Sequence, residues 1–199
     1  MAPVYPIYEH DAAGNIVLDE KGAKKYDTKS PYLDNRNVVF EKNTDIEQTT
    51  RNTFAMQVFG TITLPYGFSF TMKADMNNIN NDYSKYDNPE IGDGASNNGR
   101  FSSTKYRYFS SNVQELINWD KSFGLHNISA LLGHENYLWS SNYTQAMNTN
   151  MAVPDIFVLG NFLTNSYTTG YNDEDKTESY LARARYNYDE KYLVAASWR

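Results

Sequence analysis

The chain is 199 residues long, 15% aromatic with 17 Tyr, and carries a formal charge of -6. Its mean hydropathy of -0.68 is strongly polar, yet a disordered chain would be poor in aromatics. The charge argues against a nucleic-acid partner. The absence of cysteine excludes a disulfide framework and any thiolate metal site, and no apolar run reaches the length of a transmembrane helix. Polar on average and rich in tyrosine, the chain reads as one whose strands face two different solvents.

The first fifty residues, with turn-like Asp11-Ala12-Ala13-Gly14-Asn15 and Asp19-Glu20-Lys21-Gly22, read as a long loop leading into the first strand. Their opening lacks the basic and apolar regions of a signal peptide. From Thr53 to Met76 the pattern becomes period-two. Phe54, Met56, Val58, Ile62 and Leu64 share one parity, Pro65-Tyr66-Gly67 turns the chain, and Phe68, Phe70, Met72, Ala74 and Met76 share a face of the return arm. A polar connection, Asn77–Thr104, follows. A second hairpin has arms near Lys105–Lys121 and Leu125–Trp139, with Val113, Ile117 and Trp119 alternating in one and Ile128, Ala130 and Leu132 in the other. Ser140–Lys176 reads as a second long connection with room for a short helix. A third hairpin sets Tyr180, Ala182, Ala184, Tyr186 and Tyr188 on one parity, turns at Asp189-Glu190-Lys191, and resumes with Tyr192, Val194, Ala196 and Trp198.

Short turns thus alternate with long connections, so that in an antiparallel meander all the short turns fall on one edge. Outer-membrane barrels have this asymmetry. An arm of about 11 residues tilted by about 40° spans roughly 27 Å, close to the apolar band of such a barrel. Aromatic residues flank every short turn (Tyr66 and Phe68, Trp119 and Phe123, Tyr188 and Tyr192), as an interfacial girdle would. The expected fold is all-β, an antiparallel meander of about six strands forming an open segment of a transmembrane barrel. The competing readings are a soluble carbohydrate-binding β-sandwich and, more distantly, an extracellular hydrolase.

Asn118-Trp119-Asp120-Lys121-Ser122-Phe123-Gly124-Leu125-His126-Asn127-Ile128-Ser129-Ala130-Leu131-Leu132-Gly133-His134-Glu135 resembles a barrel hairpin of the SusC/RagA-type TonB-dependent transporters of Bacteroidetes. So does the segment from Tyr186 to Arg199, and Met1-Ala-Pro-Val-Tyr-Pro-Ile-Tyr resembles an internal segment of the family. Gly92-Asp93-Gly94-Ala95-Ser96 is similar to a loop motif there. The resemblance implies a 22-stranded barrel with an N-terminal plug, of which residues 1–199 would be part of the wall, without plug or signal peptide. It implies a bacterial outer-membrane location, a SusD-type surface lipoprotein and TonB–ExbB–ExbD as partners, and import of oligosaccharides or peptides.

No nucleophile motif, phosphate loop or dinucleotide fingerprint is present, so no catalytic residue, cofactor or metal ligand is assigned. Asp173-Glu174-Asp175 and the group Asp87, Glu90 and Asp93 lack EF-hand spacing. His126 and His134 share strand parity but lie too far apart for one metal. Lys73, Asp75, Arg183 and Arg185 fall on polar strand faces. Ligand and partner contacts are expected in Met1–Thr50, Asn77–Thr104 and Ser140–Lys176, with Tyr83, Tyr86, Tyr143, Phe157, Phe162 and Tyr167 as the aromatic candidates.

Overall fold

A computed structural model describes residues 5–29 and 36–199; Met1 to Val4, part of the segment with family resemblance, lie outside them. Six strands follow one short helix, α1 (Val38–Thr44): β1 (Ile46–Thr63), β2 (Phe68–Asp87), β3 (Arg100–Phe123), β4 (His126–Met151), β5 (Phe162–Tyr188) and β6 (Tyr192–Trp198). They form one sheet in the order β1-β2-β3-β4-β5-β6, an antiparallel meander that does not close. A sandwich would bury its apolar faces against a second sheet; all six strands lie in one, which removes that reading.

The first and third short turns fall where the turn residues place them, and the second shifts to Gly124 and Leu125, with Ser122 and Phe123 still in β3. Pro65–Gly67 is a single 3-10 turn with Tyr66 at φ 66° and Gly67 at φ 88°. Asp189 and Glu190 both take positive φ, the twist that lets a tight hairpin return without splaying its arms. From that turn Tyr188 pairs with Tyr192, Tyr186 with Val194, Ala184 with Ala196 and Ala182 with Trp198, which puts the expected apolar parity of both arms on one face.

The long connections are a correction. β2 runs on to Asp87 and β3 begins at Arg100, so the connection expected over Asn77–Thr104 shrinks to residues 88–99. That expected over Ser140–Lys176 shrinks to residues 152–161, whose helical content is one 3-10 turn, Leu159–Asn161. The strands here are 20 to 27 residues long. Hydropathy cannot register these extensions, because Asn, Ser, Thr and Tyr fill both parities. A ladder of main-chain bonds needs only a neighbouring strand, whichever solvent the side chains meet. The described residues among the first fifty also hold more structure than a plain loop. Bridges Tyr8↔Tyr26, His10↔Ile16 and Leu18↔Lys24 build a small ribbon, its two turns closed by Asp11 and Asp19 accepting from main-chain N–H groups. α1, also unforeseen, is capped by Asn37, whose Oδ1 accepts from Val39 N and Phe40 N.

Contacts divide the chain into two compact units. The connection unit comprises Met1–Thr50, Asn81–Lys105 and Thr144–Gly170; the hairpin unit comprises Arg51–Asn80, Tyr106–Tyr143 and Tyr171–Arg199. Tyr86, Phe101 and Phe162 form a buried cluster in the connection unit, with Met151, Phe157 and Leu159 packed against it.

Candidate functional site

In the connection unit, charge is neutralised as it is buried. Asp87, 3% exposed, accepts from Arg100 Nε at 2.7 Å and pairs with Lys85 Nζ at 2.9 Å. Asp93 pairs with Arg100 Nη2 and Arg36 Nη1, each at 3.2 Å, and Arg36 also clasps Glu41 of α1. The bond to Asp87 raises Lys85 above the ordinary lysine range. Burial pulls Arg100 down, but Asp87 and Asp93 outweigh it and its pKa rises. Asp87 and Asp93 therefore neutralise guanidinium and ammonium groups of the same unit. Asn88 closes the same segment: its N and Nδ2 donate to Asp45 Oδ1 at 2.8 and 2.7 Å, and its Oδ1 accepts from Glu90 N and Ile91 N. Gly94 sits where any Cβ would run into the carbonyl oxygens of Asp87 and Asn88, so the glycine of the expected loop motif is a packing requirement.

Asn161 clasps the second connection. Its Nδ2 donates to Val153 O at 2.7 Å and Ile156 O at 2.8 Å, and its Oδ1 accepts from Val153 N at 3.1 Å. Sequence reading singled out neither Asn88 nor Asn161. Nothing but an asparagine between turn residues marks such a side chain in advance.

The six aromatic candidates separate. Tyr86, Phe157 and Phe162 meet in one cluster, with Tyr86 and Phe157 centroids 4.4 Å apart and Phe101 stacked on Phe162 at 5.6 Å. Their rings are committed to packing, and burial raises the Tyr86 pKa. Tyr83 donates to Glu47 at 3.1 Å. Tyr143, in the hairpin unit, stacks on Tyr171 at 5.2 Å. Tyr167 stays exposed.

The hairpin unit has two chemically distinct faces, and contacts across strands fix which residues share each. One face is polar and aromatic: Thr61 bonds Thr71 at 3.0 Å, Tyr108 bonds Tyr137 at 3.1 Å and stacks on Trp139, and Leu116 and Leu181 close over Gly133. Arg183 and Arg185 line a small hollow there with Asn118 and Asp120.

The opposite face begins as an apolar band beside the short turns. Phe54, Met56, Val58 and Ile62 of β1, Met72 of β2, Ile117 of β3, Leu132 of β4, and Val194 and Trp198 of β6 are all exposed on it. Where the band ends, His134 lies 3.2 Å from Glu115 and 3.0 Å from Glu178, with Tyr180 against its ring. Farther from the turns the same parity becomes polar, and Asn142 donates to Asn172. A concavity of about 540 Å³ lies there, lined by Asn78, Asn80, Arg107, Tyr108, Phe109, Ser140, Ser141, Asn142, Asn172, Asp173 and Glu174. Among the described residues no group of His, Asp or Glu could hold a metal ion.

No protein-family model matches the chain, and no curated protein matches it. Solved structures do. The chain is similar to one titled "Structure of the RagAB peptide transporter" (TM-score 0.75, 17% identity, 89% of this chain and 20% of that chain). It is equally similar to the RagAB peptide importer in the "open-open" state (TM-score 0.75, 17% identity, 88% and 21%) and in the "closed-closed" state (TM-score 0.75, 19% identity, 89% and 20%). The chain spans about a fifth of the length of the chains it matches. At these identities the likeness is one of fold, a stretch of antiparallel β-sheet.

Proposed function

We propose that this chain is part of the barrel wall of an outer-membrane TonB-dependent transporter of the SusC/RagA type, importing oligosaccharides or peptides. The observation that carries the proposal is the apolar band, exposed on one face of a single open sheet. Soluble monomers rarely leave so much contiguous apolar surface in water. From the short turns the band extends about 6 to 10 residues along each of β2 to β5, or roughly 20–33 Å of strand; a tilt of about 40° turns this into roughly 15–25 Å, which reaches the height of a barrel's apolar zone at its longest. Trp119 and Phe68 at one limit, with rings 6.2 Å apart, and the polar group of His134, Glu115 and Glu178 at the other suit the two interfaces.

In this reading the polar face, with Arg183 and Arg185, meets lumen water or the plug. The connections between β2 and β3 and between β4 and β5 project outside the cell, where a SusD-type surface lipoprotein would dock, and TonB–ExbB–ExbD would energise import through the whole protein. The chain does no chemistry of its own. Import is a property of the longer protein, so the test on this chain is its solvent. Expressed alone and mixed with phospholipid vesicles, it is expected to need detergent for solubility and to float with the vesicles through a density gradient. A soluble, monodisperse monomer at neutral pH that stays at the bottom overturns the proposal.

A further inference from the structure

We infer that the polar concavity of the hairpin unit is a binding site for the saccharide headgroup of an outer-leaflet glycolipid. The inference rests on the membrane reading above and adds an occupant to a surface which that reading leaves empty. Its starting point is parity. Asn78 and Asn80 continue the face of Met72 on β2; Arg107 and Phe109 that of Ile117 on β3; Ser140 and Asn142 that of Leu132 on β4; and Asn172 and Glu174 that of Tyr180 on β5. The concavity therefore shares its face with the apolar band and lies on the side away from the Tyr137 and Trp139 rings. It begins beyond the charged row of Glu115, His134 and Glu178, where the acyl layer would give way to headgroups.

The lining matches that position. Amides supply paired donors and acceptors suited to vicinal hydroxyls, and Ser140 adds a hydroxyl. Asn142 Nδ2 is engaged by Asn172 Oδ1, which leaves the other amide atom of each residue for a ligand. Arg107 is the one cation among the lining residues, set against Asp173 and Glu174, so recognition would rest on hydroxyls rather than on a polyphosphate. Phe109 gives a ring against which a sugar face can pack. The volume of about 540 Å³ is within the range of small-ligand sites. A headgroup whose own acyl chains lie on Leu132 and Ala182 is presented at high effective concentration, so modest contacts suffice.

The test uses the full chain refolded in nonionic detergent micelles, titrated calorimetrically with three probes: rough lipopolysaccharide bearing core sugars, its lipid A portion alone, and the free core oligosaccharide. The core-bearing glycolipid is expected to bind about tenfold more tightly than lipid A. In the double variant R107A/N142A that preference should vanish while lipid A binding is kept, a loss in line with two hydrogen-bonding groups. Asn172→Ala, on an exposed strand where folding is not at risk, should weaken the preference about threefold; it decides the matter if the double variant does not refold. Equal binding with and without core sugars, or a preference untouched by these substitutions, overturns the site while the membrane reading stands. Free oligosaccharide binding as tightly as the glycolipid overturns the membrane source. A chain that stays monomeric and soluble without detergent removes the membrane reading itself, a separate failure seen before any titration.

Discussion

The two units draw on the same four long strands and solve opposite problems. The connection unit hides what it must: Tyr86, Phe101 and Phe162 are buried together, and Asp87 is enclosed with Arg100 and Lys85 against it. The hairpin unit hides little, and leaves Val58, Ile62, Leu132 and Val194 more than half exposed. The first is stabilised by its own interior and should behave alike in water and in detergent. The second depends on whatever covers its apolar face. A strand is thus no guide to its own environment, and β4 and β5 change environment midway along their length.

Substitutions can break this contrast. The largest effect is expected from Phe162→Ala, which empties the centre of the connection-unit cluster and should cost about 3–5 kcal/mol of that unit's stability. Hydrogen exchange should show lost protection over residues 88–101 and 148–162, with the amides of the hairpin unit unchanged. Asp87→Ala comes next. It leaves Arg100 and Lys85 without their buried partner, at a cost of about 3 kcal/mol, and Asp87→Asn should recover part of it in denaturant titrations. Val58→Lys reverses the comparison: about 2–4 kcal/mol of destabilisation in a bilayer, where a cation on the lipid face is penalised, but almost none in aqueous urea, where Val58 is already solvated.

The smallest effect is one of pH. Burial holds the Tyr86 hydroxyl above the ordinary tyrosine pKa of about 10. A raised folded-state pKa contributes stability that is complete below pH 10 and is lost as pH climbs through the folded value. An absorbance titration of tyrosinate should therefore end in a late phase that coincides with loss of near-ultraviolet circular dichroism. Tyr86→Phe should remove that phase; an unchanged late phase would show that Tyr86 is not its source.

The sequence made the hairpin unit legible and the connection unit largely opaque, for one physical reason. Alternation is visible only where one side of a strand meets an apolar medium, so the arms around Tyr66, Phe123 and Glu190 could be read directly. Beyond Met76 and Leu132 polar residues enter both sides, and pairs such as Asn142 with Asn172 or Tyr143 with Tyr171 carry no periodic signature. For the same reason Tyr86 and Phe162 could not be told from free aromatic contacts. A ring in a polar stretch looks alike whether it faces solvent or three other rings. The polar concavity was hidden more deeply, because its lining comes from four strands and all of it but Arg107, Tyr108 and Phe109 had been assigned to connections.

Asn161 has a consequence in time as well as in space. With its side chain bridging Val153 and Ile156, it draws together the ends of β4 and β5 across only ten residues, where loop closure costs least entropy. At the other end of that strand pair, Leu125 O accepts from Asp189 N, a closure more than sixty residues wide. Pairing that starts at the clasp can advance one rung at a time toward the short turns, so that no step has to close the wide loop at once. Asn161→Ala is then a kinetic lesion first: it should slow assembly of the β4–β5 pair in stopped-flow refolding by more than it lowers the final stability.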